Sequence, residues 1–281
     1  MTQTTFSQAD IRALSPTMKI GLLGTVNEAG LPHLTLISSL QANTPTQLIW
    51  GQFSEGLSKR YIRAHPRAGF LIMTLDKALW RGKATFTHTA QQGPEFEMYN
   101  NTPMFRYNAY FGIHTVYFMD LIEQSGRQQL PMGRVVGAAV QTMVARMFGR
   151  TRGARAVLNP WTRALLNKLD NLKFLAYVGA DGHPVIIPTI QAQAADREHV
   201  ILSTSVYREE LEAIPAGTTA ALFGMSLRME DVLLRGAFLG VRRIGGMRCG
   251  RVRVNWVYNS MPPKPQQIYP ALPLEPVRRF G

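Results

Sequence analysis

KIGLLGTVNEAGLPHLTLIS, residues 19–38, and KFLAYVGADGHPVIIPTI, residues 173–190, follow one pattern: an apolar run, a glycine turn, Gly-x-Pro and a second apolar run. That pattern predicts a β-hairpin, with Gly30 and Gly182 where the turn needs positive φ and β-branched residues alongside. The echo continues in order. QLIWG (47–51) matches HVILS (199–203), and RAGFLIM (67–73) matches TAALFGM (219–225). WRGKATF (80–86) matches LRGAFLG (234–240), with Arg81-Gly82 and Arg235-Gly236 in step. Four matched segments in one order, with the Arg-Gly pair in step, predict two copies of a single β-rich unit.

The text between and after the copies differs. Residues 105–126, FRYNAYFGIHTVYFMDLIEQSG, are aromatic and end in a strand-like run. Residues 134–169 suit helices; Ala139, Val140, Met143, Val144 and Met147 recur at helical spacing, the pattern of a core stripe. The Pro-rich stretch from 261 predicts an extended tail. The expected division is a first β unit over 1–126, a basic helical connector over 127–170, a second β unit over 171–260 and a tail over 261–281.

The chain has 281 residues, 46% of them hydrophobic, enough for one large domain or two ordinary ones. No apolar run is long enough to cross a membrane as a helix, and MTQTTFSQADIRAL lacks a signal-peptide apolar region. A single cysteine, Cys249, excludes an intrachain disulfide and a cysteine-based metal site. The expected compartment is the cytoplasm, with no membrane partner and no metal. The formal charge is +13, unevenly placed: eight Lys or Arg and no acid lie between Glu123 and Asp170. Such runs favour anionic partners or simply aid solubility. No zinc-finger spacing or RNA-binding aromatic signature accompanies them, so nucleic acid is not an expected partner.

One segment concentrates charge. FSEGLSKRYIRAHPR, residues 53–67, gathers Lys59, Arg60, Arg63, His65 and Arg67 against Glu55 alone. Ser54 is the expected N-cap of a short helix, with Leu57, Tyr61 and Ala64 facing inward, Lys59 and Arg63 outward, and His65-Pro66 as the stop. A helix start offers free N–H groups and partial positive charge, so Ser58, Lys59 and Arg60 there suit a phosphate monoester. A solvated basic helix accounts for the same residues, and on the residues alone both readings stand.

The order hairpin, polar turn, LIWGQF, SKRYIRAHPR, AGFLIM, WRGKATF resembles the pyridoxamine-5′-phosphate-oxidase-like family of FMN-binding split β-barrels. The resemblance covers residues 18–90 and, more faintly, 172–242; SKRYIRAHPR is its most specific piece. It implies a mainly β chain with added helices, two tandem six-stranded Greek-key split barrels packed as an intramolecular pseudo-dimer, and FMN as cofactor. Carried over by residue, Ser58, Lys59 and Arg60 would hold the phosphate. His33 and Thr35 would line the flavin, and Trp50 to Phe53, with the Gln52 side chain, would reach the ring. Family barrels usually pair as homodimers; here the second copy can take the partner's place, with strand 250–259 a candidate contribution, and homodimerisation stays open.

In the second copy TSVYREELEAIPAGTTA sets Glu209, Glu210 and Glu212 where the basic cluster would be, with Arg208 as the one compensating charge. That predicts a degenerate barrel without a phosphate site. No nucleophile–base pair or metal constellation emerges from the six scattered histidines, so catalytic residues stay unassigned. The terminus EPVRRFG lacks the Trp and Arg pattern of true pyridoxine-phosphate oxidases. The expected function is an FMN-dependent oxidoreductase acting on a small, anionic or aromatic substrate; the alternative is a non-catalytic flavin- or haem-binding module.

Overall fold

The computed structural model describes residues 2–105, 112–228, 230–260 and 266–273. Two compact units divide it: residues 1–130 with 178–186, and residues 131–177 with 187–281. The aromatic stretch read at 105–126 is described only at Phe105 and from residue 112 onward, and the tail only over 266–273.

The first unit holds helix α1 (Gln8–Leu14) and strands β1 (Lys19–Val26), β2 (Pro32–Leu36), β3 (Gln41–Thr44) and β4 (Gln47–Gln52). Helix α2 (Leu57–Ala64) leads into β5 (Arg67–Thr74) and β6 (Ala78–Ala90), followed by helix α3 (Pro94–Asn101), β7 (Thr115–Gln124) and the short β8 (Gln128–Gln129). Its sheet runs β2-β1-β5-β6-β7-β4-β3, all antiparallel, with β8 on β6. The second half of the chain holds α4 (Met132–Phe148), α5 (Pro160–Asn167), β9 (Leu172–Val178), β10 (Pro184–Pro188), β11 (Gln193–Ala194) and β12 (His199–Ser203). Helix α6 (Arg208–Glu212), β13 (Thr219–Met225), β14 (Asp231–Ile244), β15 (Met247–Asn259) and β16 (Gln266–Tyr269) follow. Its sheet runs β10-β9-β13-β14-β15-β12-β11, with β16 on β15. The two orders are the same order. The architecture is a tandem of split-barrel sheets, each an open path of strands rather than a closed ring.

Local chemistry explains the repeated devices. Gly30 (φ 74°) and Gly182 (φ 79°) turn the two hairpins in the left-handed region. Beside Gly30 the Asn27 carboxamide oxygen accepts from the Ala29 and Leu31 amides, and beside Gly182 an Asp181 carboxylate oxygen accepts from the His183 amide. The Arg-Gly echo has a steric cause. A Cβ on Gly82 would lie 2.0 Å from the Glu123 carbonyl oxygen, and one on Gly236 would lie 2.1 Å from that of Arg253. Both glycines sit within one or two residues of a shift in strand register, where two backbones close on each other.

Each sheet's first strand also carries a buried lysine at its first or second residue. Lys19 donates to the Pro16 carbonyl oxygen at 2.6 Å; Lys173 donates to those of Lys168 and Ile190 at 2.7 and 3.0 Å. Burial pushes both ammonium groups down to about 8. The first core gathers Leu23, Trp50, Ile62, Phe70, Ile72 and Trp80. Helix α1, closed by a Ser7–Asp10 capping box, is tied to it by a Trp80 indole N–H donating to Asp10 at 2.8 Å. In the second unit Phe174, Phe223, Leu234, Phe238 and Val252 are buried.

One expectation is corrected here. The residues read as a core stripe in α4 are not its buried face: Val140, Met143, Val144 and Met147 are exposed, while Val135, Ala138, Thr142 and Ala145 are buried. Small residues pack that helix closely against β12, where the Thr142 hydroxyl accepts from the Ser203 amide at 2.9 Å. Residues 250–259 lie in β15, between β14 and β12, and Arg251 is buried, donating to the Thr151 hydroxyl and 3.8 Å from Asp196.

Candidate functional site

Helix α2 begins at Leu57 behind Gly56, whose backbone is extended and which supplies no side-chain cap; Ser54 is not the N-cap. His65 ends it in an extended conformation, as a residue preceding proline does. The inner face is also shifted from the one read in sequence. Ser58, Lys59, Tyr61 and Ile62 are buried, whereas Leu57 is half-buried and Ala64 exposed. Ile62 sets this phase by entering the core beside Trp50 and Phe70. Its burial turns Lys59 inward with it.

Lys59 is therefore not on a solvated face. It is 9% exposed, and among the described residues its ammonium has no hydrogen-bond or ion-pair partner. A Cβ on Gly56 would lie 3.3 Å from that nitrogen, so the charge sits at the uncapped helix start. Burial lowers its pKa, and the nearby Glu55 carboxylate partly opposes the shift. The Ser58 hydroxyl is buried beside it with no partner. Free N–H groups, a buried hydroxyl and a buried cation at one helix start form a cradle for an anion.

The other candidates sort around this cradle. In β2, the His33 ring nitrogen Nε2 lies 3.0 Å from the Thr35 hydroxyl, and the ring meets Tyr61 edge-on at 5.3 Å. His33 is buried and Thr35 half-buried. Gln52, at the end of β4, is held from both ends: its Nε2 donates to Glu55 at 2.9 Å, and its Oε1 accepts from the Tyr117 hydroxyl at 2.8 Å. Arg63 donates to the same hydroxyl at 2.9 Å, and Trp50 stacks on the Tyr117 ring at 3.9 Å. Burial raises the Tyr117 pKa against the opposing charge of Arg63. Arg60 stands apart, its side chain 63% exposed and 3.6 Å from Glu28. Sequence reading missed Tyr117 because it lies in an aromatic run with no polar motif around it.

The corresponding place in the second unit is built differently. Helix α6 has five residues, and Tyr207 before it is left-handed. Glu212 is not an unopposed charge. Arg248 bonds it at 2.8 and 2.9 Å, so Arg208, at 3.9 Å, is not its one compensation. Glu209 and Glu210 line a cavity of about 280 Å³ together with Arg134, Tyr207 and Arg208. Among the described residues no cluster of three His, Cys, Asp or Glu could hold a metal.

No family model and no curated protein matches the chain. Solved structures do. HupZ from Group A Streptococcus is 12% identical, covering 42% of this chain and 91% of its own, with a TM-score of 0.35. An FMN-binding protein from Syntrophomonas wolfei is 15% identical over 43% of this chain and 86% of its own, TM-score 0.35. A FAD-binding protein from Mesorhizobium loti is 12% identical over 44% and 96%, TM-score 0.30. Each of these structures covers less than half of this chain, and the chain itself holds two sheets of one strand order.

Proposed function

We propose that the first unit binds FMN, its phosphate seated at the start of α2, and that the chain is an FMN-dependent oxidoreductase acting on a small substrate. The observation that carries this reading is the buried pair Ser58 and Lys59. A hydroxyl buried without a partner costs about 1–3 kcal/mol, and a mostly buried lysine opposed only by the nearby Glu55 carboxylate adds to that cost. A phosphate answers both, each charge-assisted contact contributing about 1.5–3 kcal/mol. Arg60, exposed and near Glu28, serves as an outer contact.

Bound FMN would supply two-electron redox chemistry. This chain's residues bind and orient. Ser58 and Lys59 anchor the phosphate. Gln52, fixed between Tyr117 and Glu55, presents a carboxamide that cannot rotate without breaking two hydrogen bonds. His33 and Thr35 hold one another in β2 against the helix that carries the cradle. Gln52, His33 and Thr35 are the groups we assign to the flavin ring.

The test has two parts. Purified protein should show a flavin absorption spectrum, and anaerobic NADH or NADPH should bleach it. A bound flavin that no reduced nicotinamide or other donor bleaches would favour a non-catalytic carrier; no flavin uptake would overturn the assignment.

A further inference from the structure

We propose that the outward face of α4 docks on an anionic membrane surface. The observation is the stripe itself: Val136, Val140, Met143, Val144, Met147 and Phe148 are all exposed, at 59, 55, 40, 39, 69 and 67%. At 3.6 residues per turn they fall on one side of the helix, roughly opposite the buried residues Val135, Ala138, Thr142 and Ala145. Helix α4 is firmly held from beneath. Besides the Thr142 contact, Gln141 accepts from the Ser203 hydroxyl at 2.6 Å, and Gln193 donates to the Ala139 carbonyl oxygen at 3.3 Å. The stripe is thus presented to water by a seated helix of 17 residues, about 25 Å long. A continuous apolar face of this size marks a contact surface.

Charge selects the occupant. Between Glu123 and Asp170 the chain has eight basic residues and no acid. Arg146, Arg150 and Arg163 crowd the C-terminal end of α4. Burial first, and then the positive charge of Arg150 and Arg163, lowers the Arg146 pKa. The acids nearest the following loop, Asp196 and Glu198, already accept from the Thr151 and Arg155 amides. An anionic lipid surface satisfies both features: apolar side chains enter the acyl boundary while arginines meet headgroups. Among the described residues no helix is long and apolar enough to cross the bilayer, so the contact lies in the plane of the surface.

Cosedimentation of the full chain with vesicles tests this. Phosphatidylcholine vesicles containing about 30% phosphatidylglycerol should take up at least about fivefold more protein than phosphatidylcholine alone, with loss of binding near 0.5 M salt. Val140→Ser with Met147→Ser, which changes no charge, should lower that uptake about tenfold while leaving the melting temperature unchanged. Indole emission from a Phe148→Trp chain should shift to the blue with anionic vesicles. Three results would each overturn the proposal. One is no uptake by anionic vesicles at low salt. Another is uptake of the Phe148→Trp chain with no blue shift, which would mean general attraction through other basic surface. The last is a Val140→Ser/Met147→Ser chain that keeps wild-type uptake but changes its oligomeric state.

Discussion

A lysine whose side chain is mostly buried, with no anion in contact, loses part of its hydration without return unless an anion arrives. Lys59 is in that position, which separates it from Arg60, its neighbour in the same basic run. Lys59→Ala should therefore weaken FMN at least about tenfold, whereas Arg60→Ala should cost no more than about threefold, as an exposed contact does. Fluorescence titration of flavin-free protein reads both; equal losses would place the phosphate outside the cradle. Affinity should also fall as pH rises, because the lowered Lys59 pKa brings loss of its charge closer to neutrality. Lys19 and Lys173 offer a separate test on stability. Each is near 8 in the fold against 10.5 when unfolded. Between these values the unfolded chain holds more protons, so stability should rise with pH across that window. Below about 8 both states are protonated and the slope vanishes. Urea unfolding at about pH 7.5 and 9.5 should show an increase of about 1–3 kcal/mol, reduced in Lys19→Met. A fall in stability over that range would contradict the assignment.

Strands and turns were legible because their signals are local. Glycine at a positive-φ turn, an apolar run of strand length and an Arg-Gly pair at a close backbone approach each have one steric reason, and each appears twice. The helices were less legible. Periodicity shows which residues share a face but not which face the tertiary structure will bury. In α2 the burial of Ile62 shifts the inner face and takes Lys59 inward. In α4 the close approach of β12 selects Ala138, Thr142 and Ala145 over the larger side chains on the other side. The same distinction governs glycine substitutions. Gly82→Ala and Gly236→Ala would drive a methyl into a carbonyl oxygen and should each cost about 1–3 kcal/mol in denaturant unfolding. Gly137 lies inside α4, and a methyl added to it would meet nothing within 4 Å; Gly137→Ala should add about 0.5–1 kcal/mol. Neutral outcomes at Gly82 and Gly236 would remove the steric account of the repeat.

At the scale of the whole molecule, one strand order used twice does not make two equal sites. The first unit places Ser58 and Lys59 at an eight-residue helix start; the second offers a five-residue helix beside a cavity where Glu209 and Glu210 offset Arg134 and Arg208, with no counterpart of the buried Ser58 and Lys59. At roughly 6–8 Å and an effective dielectric near 20, a carboxylate opposes a phosphate dianion by about 4–6 kcal/mol before screening. Salt reduces that without changing its sign. Binding should therefore saturate near one FMN per chain. Calorimetric titration of flavin-free protein with FMN and, in parallel, with riboflavin, which lacks the phosphate, tests the central claim most directly. The account predicts about one FMN per chain, bound at least about tenfold more tightly than riboflavin, with that preference largely lost in Lys59→Ala. Equal affinity for the two flavins, or two FMN per chain, would contradict it.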